Sequence, residues 1–550
     1  MKVFPTPRHL GPGKNVSFMQ SLVFSLLCAL VTCEATTVNK SVISVAGSSV
    51  AWGQGCSTGC WRHMLEVRQL THHGRTVVNN ARGGDRTRDV LGRFDEVVAT
   101  GAQYVVVGLS LANEGLLDTG RSAFASYHVG MKHIIGSVKK ISAAPIVGLC
   151  YPNGRYTAEH TSMLYEMNLL VQSWNLPSIN FMGAVDDGRG RWVAGTYADS
   201  GHPNDLGSSE MYHTIVPTIF DAIAAGKTPL PQRGDSSRYL SLPLQPSIPG
   251  GGSPIVFDVS PGETMHAHSY AISVRIPYDV EHATLAASVG VDASVVRGHD
   301  CLPGQSSYSM PAKDLTAVKR ECTERGYAVF VTWGKSAFFK NATAGECRDT
   351  LSRASPGTVH FCEPPQRSRT FLLQLKAGQL ALDGVRSEAR LNDNQWHDLL
   401  VTHHSVNKTT NLYVDGVPVL QLSDLCSLCD FTSFKVGGGG TSKNTSLSAI
   451  ASPVVHFRDF AVWRSALNIV EIQSMLIDGP ILQASLEVYA PLHPAFPEEN
   501  RAQSLSEIHV DSAMIDTPDV MLSSSPMSKV VSSLPVLACL QLLVYTRISN

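Results

Sequence analysis

Four short polar segments in the first half of the chain carry side chains that could together hydrolyse an ester. A serine hydroxyl becomes a nucleophile when a histidine accepts its proton, and a carboxylate can orient that histidine. Backbone N–H groups and an amide side chain can stabilise the oxyanion that forms. These residue types therefore predict acyl transfer. The segments are Val45-Ala-Gly-Ser-Ser49, Asn79-Asn-Ala-Arg-Gly-Gly84, Leu109-Ser-Leu-Ala-Asn113 and Asp199-Ser-Gly-His202.

Each segment has a simpler explanation when it is taken alone. Gly-Ser-Ser at 47–49 is a common loop sequence, Asn113 suits a helix cap, and His202 could be a surface histidine. Asp199 lies three residues before His202, across a turn that contains glycine, and can bind one ring nitrogen while the other stays free. Asp205 also lies near His202, so spacing leaves two candidates for the orienting carboxylate.

The elements predicted around these segments would bring them to one edge of a sheet. Short apolar runs alternate with longer amphipathic stretches from residue 41 to 227, which predicts a parallel sheet with helices on both faces. Functional residues of such sheets gather at the carboxyl ends of the strands. The predicted strands are Val42–Ala46, Thr76–Asn79, Tyr104–Leu109, Pro145–Leu149 and Ile179–Met182. The predicted helices are Asp85–Ala99, Tyr127–Ile141, Thr157–Trp174 and Ser208–Ala225.

The order and spacing of the four segments resemble the GDSL/SGNH hydrolase family, whose members carry Ser, Gly, Asn and His in four separate blocks. The resemblance covers residues 41–227 and implies a flavodoxin-like three-layer α/β/α fold that hydrolyses esters or thioesters. It implies Ser49 as the nucleophile and His202 as the general base, held by Asp199. The mechanism needs no metal and no other cofactor.

The same resemblance implies an oxyanion hole made of the N–H groups of Ser49 and Gly84 and the side-chain amide of Asn113. Two positions depart from the family pattern. Ser48 replaces the Asp of Gly-Asp-Ser, and Glu114 follows the Asn where Asp is usual. The first substitution is expected to be tolerated, because that Asp is not the triad acid.

The second half of the chain has the pattern of an antiparallel sandwich. We predict a linker at 228–249, rich in Pro and Gly, and a jelly roll at 250–488. Motifs around Trp396, Asp415-Gly416 and Trp463 resemble the laminin-G-like or concanavalin-like jelly roll, and we interpret both tryptophans as structural. The resemblance implies a glycan or protein ligand, in some members bound through calcium. The predicted strands are Tyr270–Ile276, Ala328–Thr332, Arg369–Leu375, Asp398–His403 and Asn411–Val414.

Both ends of the chain predict targeting. Residues 1–35, with the apolar run Leu22–Val31, are typical of a signal peptide. After a disordered stalk predicted at 489–529, the apolar tail at 530–550 has parts of a glycolipid-anchor signal, but Pro535 and its polar end do not suit one. Membrane attachment through this tail therefore stays open.

Cysteines and glycosylation sequons also favour secretion. Nine cysteines lie between the leader and the tail, an odd number that leaves at least one unpaired within the chain. Cys426-x-x-Cys429 is interpreted as a loop disulfide or two unrelated thiols. The Asn-x-Ser/Thr sequons begin at Asn39, Asn341, Asn407 and Asn444.

These observations predict a secreted serine esterase that acts on acyl esters of carbohydrates or glycoconjugates. The net charge of -2 gives no field that would attract nucleic acid, so that class of partner is excluded. Two alternatives remain. One is a lipid esterase or lysophospholipase, and the other is a surface adhesion protein that binds glycans and whose hydrolase domain is catalytically silent.

Overall fold

The computed structural model describes most of the chain between residues 41 and 510. The described ranges are 41–57, 60–227, 237–243, 255–259, 265–292, 295–362, 368–423, 429–438, 440–442, 454–479 and 481–510. The predicted leader, Asn39, Asn444, Cys426 and the apolar tail lie outside these ranges. Within the described part of the chain, no helix is long and apolar enough to cross a membrane.

The N-terminal region contains a five-stranded parallel sheet in the order β2-β1-β3-β4-β5. This α/β domain confirms the predicted fold class. The predicted bounds of β2 are those observed, whereas β5 is shorter than predicted because Met182 begins a helix. The strands are β1 (Val42–Gly47), β2 (Thr76–Asn79), β3 (Tyr104–Gly108), β4 (Ala144–Gly148) and β5 (Ser178–Ile179).

Helices cover both faces of this sheet. Alternate residues of β3 face different cores, since Val105 and Val107 belong to one buried cluster and Tyr104 and Val106 to another. The helices are α1 (Ser49–Trp52), α2 (Trp61–His73), α3 (Thr87–Gly92), α4 (Phe94–Ala99), α5 (Leu111–Glu114), α6 (Leu116–Thr119), α7 (Arg121–Lys140), α8 (Ala158–Gln172), α9 (Met182–Val185), α10 (Asp205–His213) and α11 (Ile219–Ala224).

Two predicted helices are each divided into two. The helix predicted at 85–99 is interrupted at Arg93, directly after Gly92, a poor helix former. The helix predicted at 208–225 begins earlier, at Asp205, and is interrupted between α10 and α11. Pro217 lies in that interruption, and proline removes a helical N–H and disfavours the helical conformation of the preceding residue.

The C-terminal region is an antiparallel sandwich, as predicted. One sheet has the order β17-β16-β15-β9-β21-β7-β25 with β22 on β9, and the other has the order β20-β19-β18-β8-β23-β24 with β6 on β23. Their facing side chains form one buried apolar cluster. The strands are β6 (Leu240–Pro243), β7 (Ile255–Asp258), β8 (His268–Arg275), β9 (Val280–Asp292), β15 (Ser368–Lys376), β16 (Gln379–Leu382), β17 (Val385–Arg390), β18 (Trp396–His404), β19 (Thr409–Val414), β20 (Val417–Ser423), β21 (Cys429–Val436), β22 (Gly440–Ser442), β23 (Val454–Trp463), β24 (Leu486–Ala490) and β25 (Ile508–Val510).

A separate five-stranded antiparallel sheet is inserted between β9 and β15. The prediction that the strand at 328–332 belongs to the sandwich is therefore wrong, because this segment forms β12 of the insertion. An alternating pattern predicts a strand but not its partners. Disulfides Cys301–Cys347 and Cys322–Cys362 cross-link the insertion. Its elements are β10 (Val295–Cys301), β11 (Ser306–Pro311), α12 (Leu315–Glu324), β12 (Val329–Trp333), β13 (Ser336–Lys340), α13 (Ala344–Asp349) and β14 (Leu351–Phe361).

Both predicted boundaries of the sandwich change. Strand β6 pairs with β23, so residues 240–243 of the predicted linker belong to the sandwich. The first part of the predicted stalk also packs against it, because β25 pairs with β7 and the N–H of Tyr489 donates to the Asn500 side-chain oxygen at 3.1 Å. Low apolar content misled the prediction here, since side-chain hydrogen bonds and a few buried apolar side chains, among them Leu492 and Ile508, together hold this segment.

The two structural tryptophans differ in their surroundings. Trp463 is fully buried and its indole N–H donates to the carbonyl of Ile481 at 2.9 Å. Trp396 is only partly buried, between the guanidinium groups of Arg275 and Arg458. The hydrogen bond of Trp463 and the arginine contacts of Trp396 all lie within the sandwich.

The α/β domain and the sandwich share a buried interface. Met182 and Leu176 of the first belong to the same apolar cluster as Trp463 of the second. Helix α14 (Ile469–Asp478) adds a polar contact, because one carboxylate oxygen of Glu471 accepts from the amides of Gln172 at 2.8 Å and Asn180 at 3.0 Å. The sandwich is therefore packed directly on the domain that carries the predicted site.

Candidate active site

Ser49 begins the short helix α1 after the carboxyl end of strand β1. Gly47 permits this turn, because a Cβ there would lie 2.4 Å from the carbonyl oxygen of Gly108 and 2.8 Å from the Cβ of Ala51. The N–H of Ser48 donates to the same Gly108 oxygen at 3.2 Å. The close packing of β1 on β3 therefore fixes the position of the serine.

His202 lies between Ser49 and Asp199. Its Nε2 is 2.9 Å from Ser49 Oγ, and its Nδ1 is 2.8 Å and 2.9 Å from the two carboxylate oxygens of Asp199. With the ring proton on Nδ1, Nε2 accepts from the serine hydroxyl. The side chain of His202 is 19% exposed, so substrate can approach the pair from solvent. The structure thus brings together the three residues predicted as a triad.

Hydrogen bonds also favour the ionised form of Asp199. Partial burial acts to raise the pKa of this carboxyl group, but the Gly201 N–H, which donates at 2.8 Å, and the His202 ring lower the pKa below its ordinary value. A negative charge at Asp199 stabilises the imidazolium that forms when His202 takes a proton.

The second carboxylate near His202 has another partner. Asp205 accepts from the backbone N–H of Ser57 at 2.7 Å and from its hydroxyl at 2.6 Å. The orienting carboxylate that spacing left open is therefore Asp199 in this structure. Asp205 instead joins helix α10 to the loop that follows helix α1, a loop that the Cys56–Cys60 disulfide also closes.

The predicted oxyanion donors lie in segments that hydrogen bonds connect. The side-chain amide of Asn113 donates to the carbonyl of Asp85 at 3.2 Å, directly after Gly84, whose φ is +84°. The N–H of Arg82 donates at 3.0 Å to the carbonyl of Gly47, which joins this loop to the end of β1. Among the described residues, the N–H groups of Ser49 and Gly84 have no hydrogen-bond acceptor. Both N–H groups are thus available to a ligand.

The two departures from the family pattern have local explanations. Ser48 is fully buried, and its hydroxyl is 3.3 Å from that of Tyr151, whose pKa burial raises. Glu114 accepts from the N–H and hydroxyl of Thr87 at 3.0 Å and 2.9 Å, at the start of helix α3. A carboxylate suits a helix start, where backbone N–H groups lack partners.

Sequence reasoning missed the residues that hold the histidine loop. Gly55, with φ +90°, packs against this loop so closely that a Cβ would lie 2.9 Å from the Cβ of His202. The carbonyl of Ser200 accepts from the N–H of Gly154 at 2.8 Å and from the indole of Trp192 at 2.9 Å. An isolated glycine in a loop was the signal available for Gly55, but nothing in the sequence identified its partner.

Comparisons with known proteins identify both parts of the chain. Residues 45–209 match the model of the GDSL-like lipase/acylhydrolase family, and residues 333–473 match that of the concanavalin A-like lectin/glucanases superfamily. No match is found among curated proteins.

Solved structures match about a third of this chain at low identity. A GDSL-like lipase from Bacteroides thetaiotaomicron VPI-5482 is 14% identical with a TM-score of 0.28, and the match covers 37% of this chain and 97% of that one. A catalytic mutant of an acetylxylan esterase from Geobacillus stearothermophilus is 13% identical with a TM-score of 0.27, over 31% and 90%. The psychrotrophic esterase EstA from Pseudoalteromonas sp. is 19% identical with a TM-score of 0.26, over 31% and 94%.

Proposed function

We propose that this chain, a carboxylic ester hydrolase with a GDSL-like acylhydrolase domain, removes acyl groups from carbohydrates or glycoconjugates outside the cell, with Ser49 as its nucleophile. The observation that carries the proposal is the 2.9 Å contact between Ser49 Oγ and His202 Nε2. Asp199 on the other ring nitrogen completes the arrangement that serine acylation requires.

The reaction has two steps. Ser49 Oγ attacks the acyl carbonyl carbon while its proton passes to His202 Nε2, and the N–H groups of Ser49 and Gly84 and the amide of Asn113 stabilise the oxyanion. The tetrahedral intermediate collapses, the C–O bond to the alcohol breaks, and His202 returns the proton to the alcohol oxygen. Water then attacks the acyl-enzyme with His202 again as base, which releases the carboxylic acid and restores Ser49.

Two exposed aromatic side chains support a sugar as the alcohol portion. Trp52, three residues after Ser49, is 53% exposed, and Tyr197, two residues before Asp199, is 47% exposed. Their segments are in contact, because a Cβ at Gly55 would lie 3.4 Å from the Cβ of Ala198. Exposed aromatic faces at a binding site provide amphipathic contact area of the kind that sugar rings use.

Location outside the cell is supported by cysteines and sequons. Three disulfides form among the described residues, Cys56–Cys60, Cys301–Cys347 and Cys322–Cys362, and disulfides persist in oxidising compartments. Asn341 and Asn407 are exposed, as glycosylation requires. In this proposal the sandwich binds a glycan or protein that holds the esterase near its substrate. The predicted membrane attachment rests on residues outside the described ranges.

Hydrolysis of esters that differ in acyl length tests the proposal. The purified protein is assayed on p-nitrophenyl acetate, butyrate and octanoate and on acetylated xylo-oligosaccharides, beside Ser49→Ala. We expect preference for acetate, release of acetate from the oligosaccharide, and a loss of at least ~10⁴-fold in kcat for Ser49→Ala. The matched control is Ser126→Ala, which removes an exposed hydroxyl from α7.

Each other result has a definite meaning. Preference for octanoate, with no acetate released from the oligosaccharide, would favour the lipid esterase. If the folded protein resists a fluorophosphonate and hydrolyses no ester faster than Ser49→Ala does, the proposed role of Ser49 is wrong.

A further inference from the structure

The arginines of the α/β domain fall into two groups that differ in their partners. Most of them lie within 4.0 Å of a carboxylate, for example Arg75 beside Asp221 and Arg93 beside Asp85. Arg68 is buried and donates to the hydroxyl of Tyr212. The others with a carboxylate partner are Arg62, Arg82, Arg88 and Arg121.

The second group has no carboxylate within 4.0 Å among the described residues. It consists of Arg86, Arg155, Arg189 and Arg191, and all four are exposed. Arg155 follows β4, Arg189 and Arg191 follow β5, and Arg86 follows β2, so all four lie in loops after the carboxyl ends of parallel strands. This is the edge of the sheet that carries Ser49.

Backbone hydrogen bonds connect the loops of three of these arginines to the histidine loop. The N–H of Gly154, next to Arg155, donates to the carbonyl of Ser200 at 2.8 Å, and Ser200 lies between Asp199 and His202. The N–H of Asn153 donates to the carbonyl of Gly190 at 3.3 Å, which joins the loop of Arg155 to that of Arg189 and Arg191. The backbone segments that carry Arg155, Arg189 and Arg191 therefore adjoin the histidine loop.

The carboxylates of these loops already have partners within the loops. Asp186 accepts from the hydroxyl of Tyr165 at 2.9 Å and the N–H of Gly190 at 2.8 Å. Asp187 accepts from the N–H groups of Arg189 at 2.8 Å and Arg191 at 3.3 Å. Among the residues that the structure describes, the side chains of Arg155, Arg189 and Arg191 make no such contact and stay available to a ligand.

We propose that the alcohol portion of the substrate is an anionic sugar, whose carboxylate or sulfate is bound by Arg189 and Arg191 with Arg155 beside them. This inference rests on the proposed function, because it names the substrate class of the same site. Guanidinium groups bind carboxylates and tetrahedral oxyanions through paired, charge-assisted hydrogen bonds. The exposed faces of Trp52 and Tyr197 would contact the ring that carries the charge.

The test compares charged and neutral substrates on matched variants. The substrates are an acetylated oligogalacturonide, an acetylated sulfated oligosaccharide and a neutral acetylated xylo-oligosaccharide. The test variant is Arg189→Gln/Arg191→Gln. The control variant is Arg386→Gln/Arg390→Gln, which removes two exposed arginines from β17 of the sandwich.

We expect the test variant to lower kcat/KM for an anionic substrate relative to the neutral one by about tenfold or more, since charge-assisted hydrogen bonds are lost. The control variant should leave this ratio unchanged. In the wild type, raising the salt concentration should lower kcat/KM for the anionic substrate alone. The anionic substrate whose kcat/KM falls in the test variant identifies the bound group as carboxylate or sulfate.

The outcomes separate this inference from the proposed function. The inference is overturned if the wild type releases acetate but the ratio of kcat/KM between anionic and neutral substrates does not change in the test variant. It is also overturned if this ratio falls equally in the control variant, because the arginines then do not select the substrate. If the wild type releases no acetate beyond Ser49→Ala from any of the three substrates, the proposed function fails and the inference fails with it.

Discussion

Two Asp–His arrangements, one in each domain, have similar sequences but opposite consequences. In the α/β domain, His202 has Asp199 on Nδ1 and a serine hydroxyl on Nε2. In the sandwich, His397 has Asp415 on Nδ1 at 2.8 Å and Asp393 on Nε2 at 3.1 Å. One ring can accept a proton from a nucleophile, whereas the other has a carboxylate on each nitrogen.

The second arrangement favours the imidazolium form of the ring. Partial burial lowers the pKa of His397, but the hydrogen bonds that the ring donates to Asp415 and Asp393, with the negative charges of these carboxylates, outweigh burial and raise the pKa above its ordinary value. A doubly protonated ring donates from both nitrogens and cannot act as a base. A histidine beside an aspartate is therefore a catalytic candidate only if its other nitrogen meets something that can lose a proton.

Among the variants that test this comparison, Asp199→Asn should have the largest effect on esterase activity. This replacement removes the negative charge that stabilises the His202 imidazolium. The amide also no longer enforces the tautomer with the proton on Nδ1. We therefore expect kcat to fall by about 10⁴-fold. The measurement is p-nitrophenyl acetate hydrolysis. The matched variant is Asp205→Asn, whose carboxylate contacts Ser57 and not the histidine. Equal losses in the two variants would contradict the assignment of Asp199.

A smaller effect is expected from the oxyanion donors. Asn113→Ala removes a side-chain amide that has no counterpart in the His397 arrangement of the sandwich. Loss of one such oxyanion donor costs about 10²–10³-fold in kcat. We expect KM to change much less than kcat, because the donor acts mainly in the transition state. A change confined to KM would show instead that Asn113 contributes to substrate binding.

The smallest effect on activity is expected from His397→Gln, which should leave kcat and KM unchanged. Its effect should be on stability and should amount to about 1 kcal/mol, because Asp393 and Asp415 are about half exposed. Since the folded pKa of His397 is raised, its contribution is complete below about pH 6.5 and is lost as the pH rises through the folded pKa.

Denaturant unfolding of wild type and His397→Gln at pH 6 and pH 9 measures this dependence. The difference between the two proteins in unfolding free energy should be larger at pH 6. A larger difference at pH 9, or a loss of esterase activity, would show that the two Asp–His arrangements are not as distinct as their contacts indicate.

The parts of the fold that sequence predicted are those governed by local pattern. Strand β2 and the Asp415-Gly416 hairpin were predicted closely, and in the hairpin both residues have the positive φ that such turns require. The inserted sheet was not predicted, because alternation identifies β12 as a strand but cannot assign its partners. The order and packing of residues 491–510 also depend on contacts with distant strands.

The sequence by itself was enough to identify Ser49, Gly84, Asn113 and His202 by residue type, order and spacing. It sufficed because each of these residues follows a strand of one parallel sheet. Only the tertiary structure decided between Asp199 and Asp205, since two carboxylates near one histidine differ in direction and not in distance along the chain. It also decided which arginines remain without carboxylate partners at the site. Those choices depend on loops that meet across the sheet edge, where residues remote in sequence become neighbours.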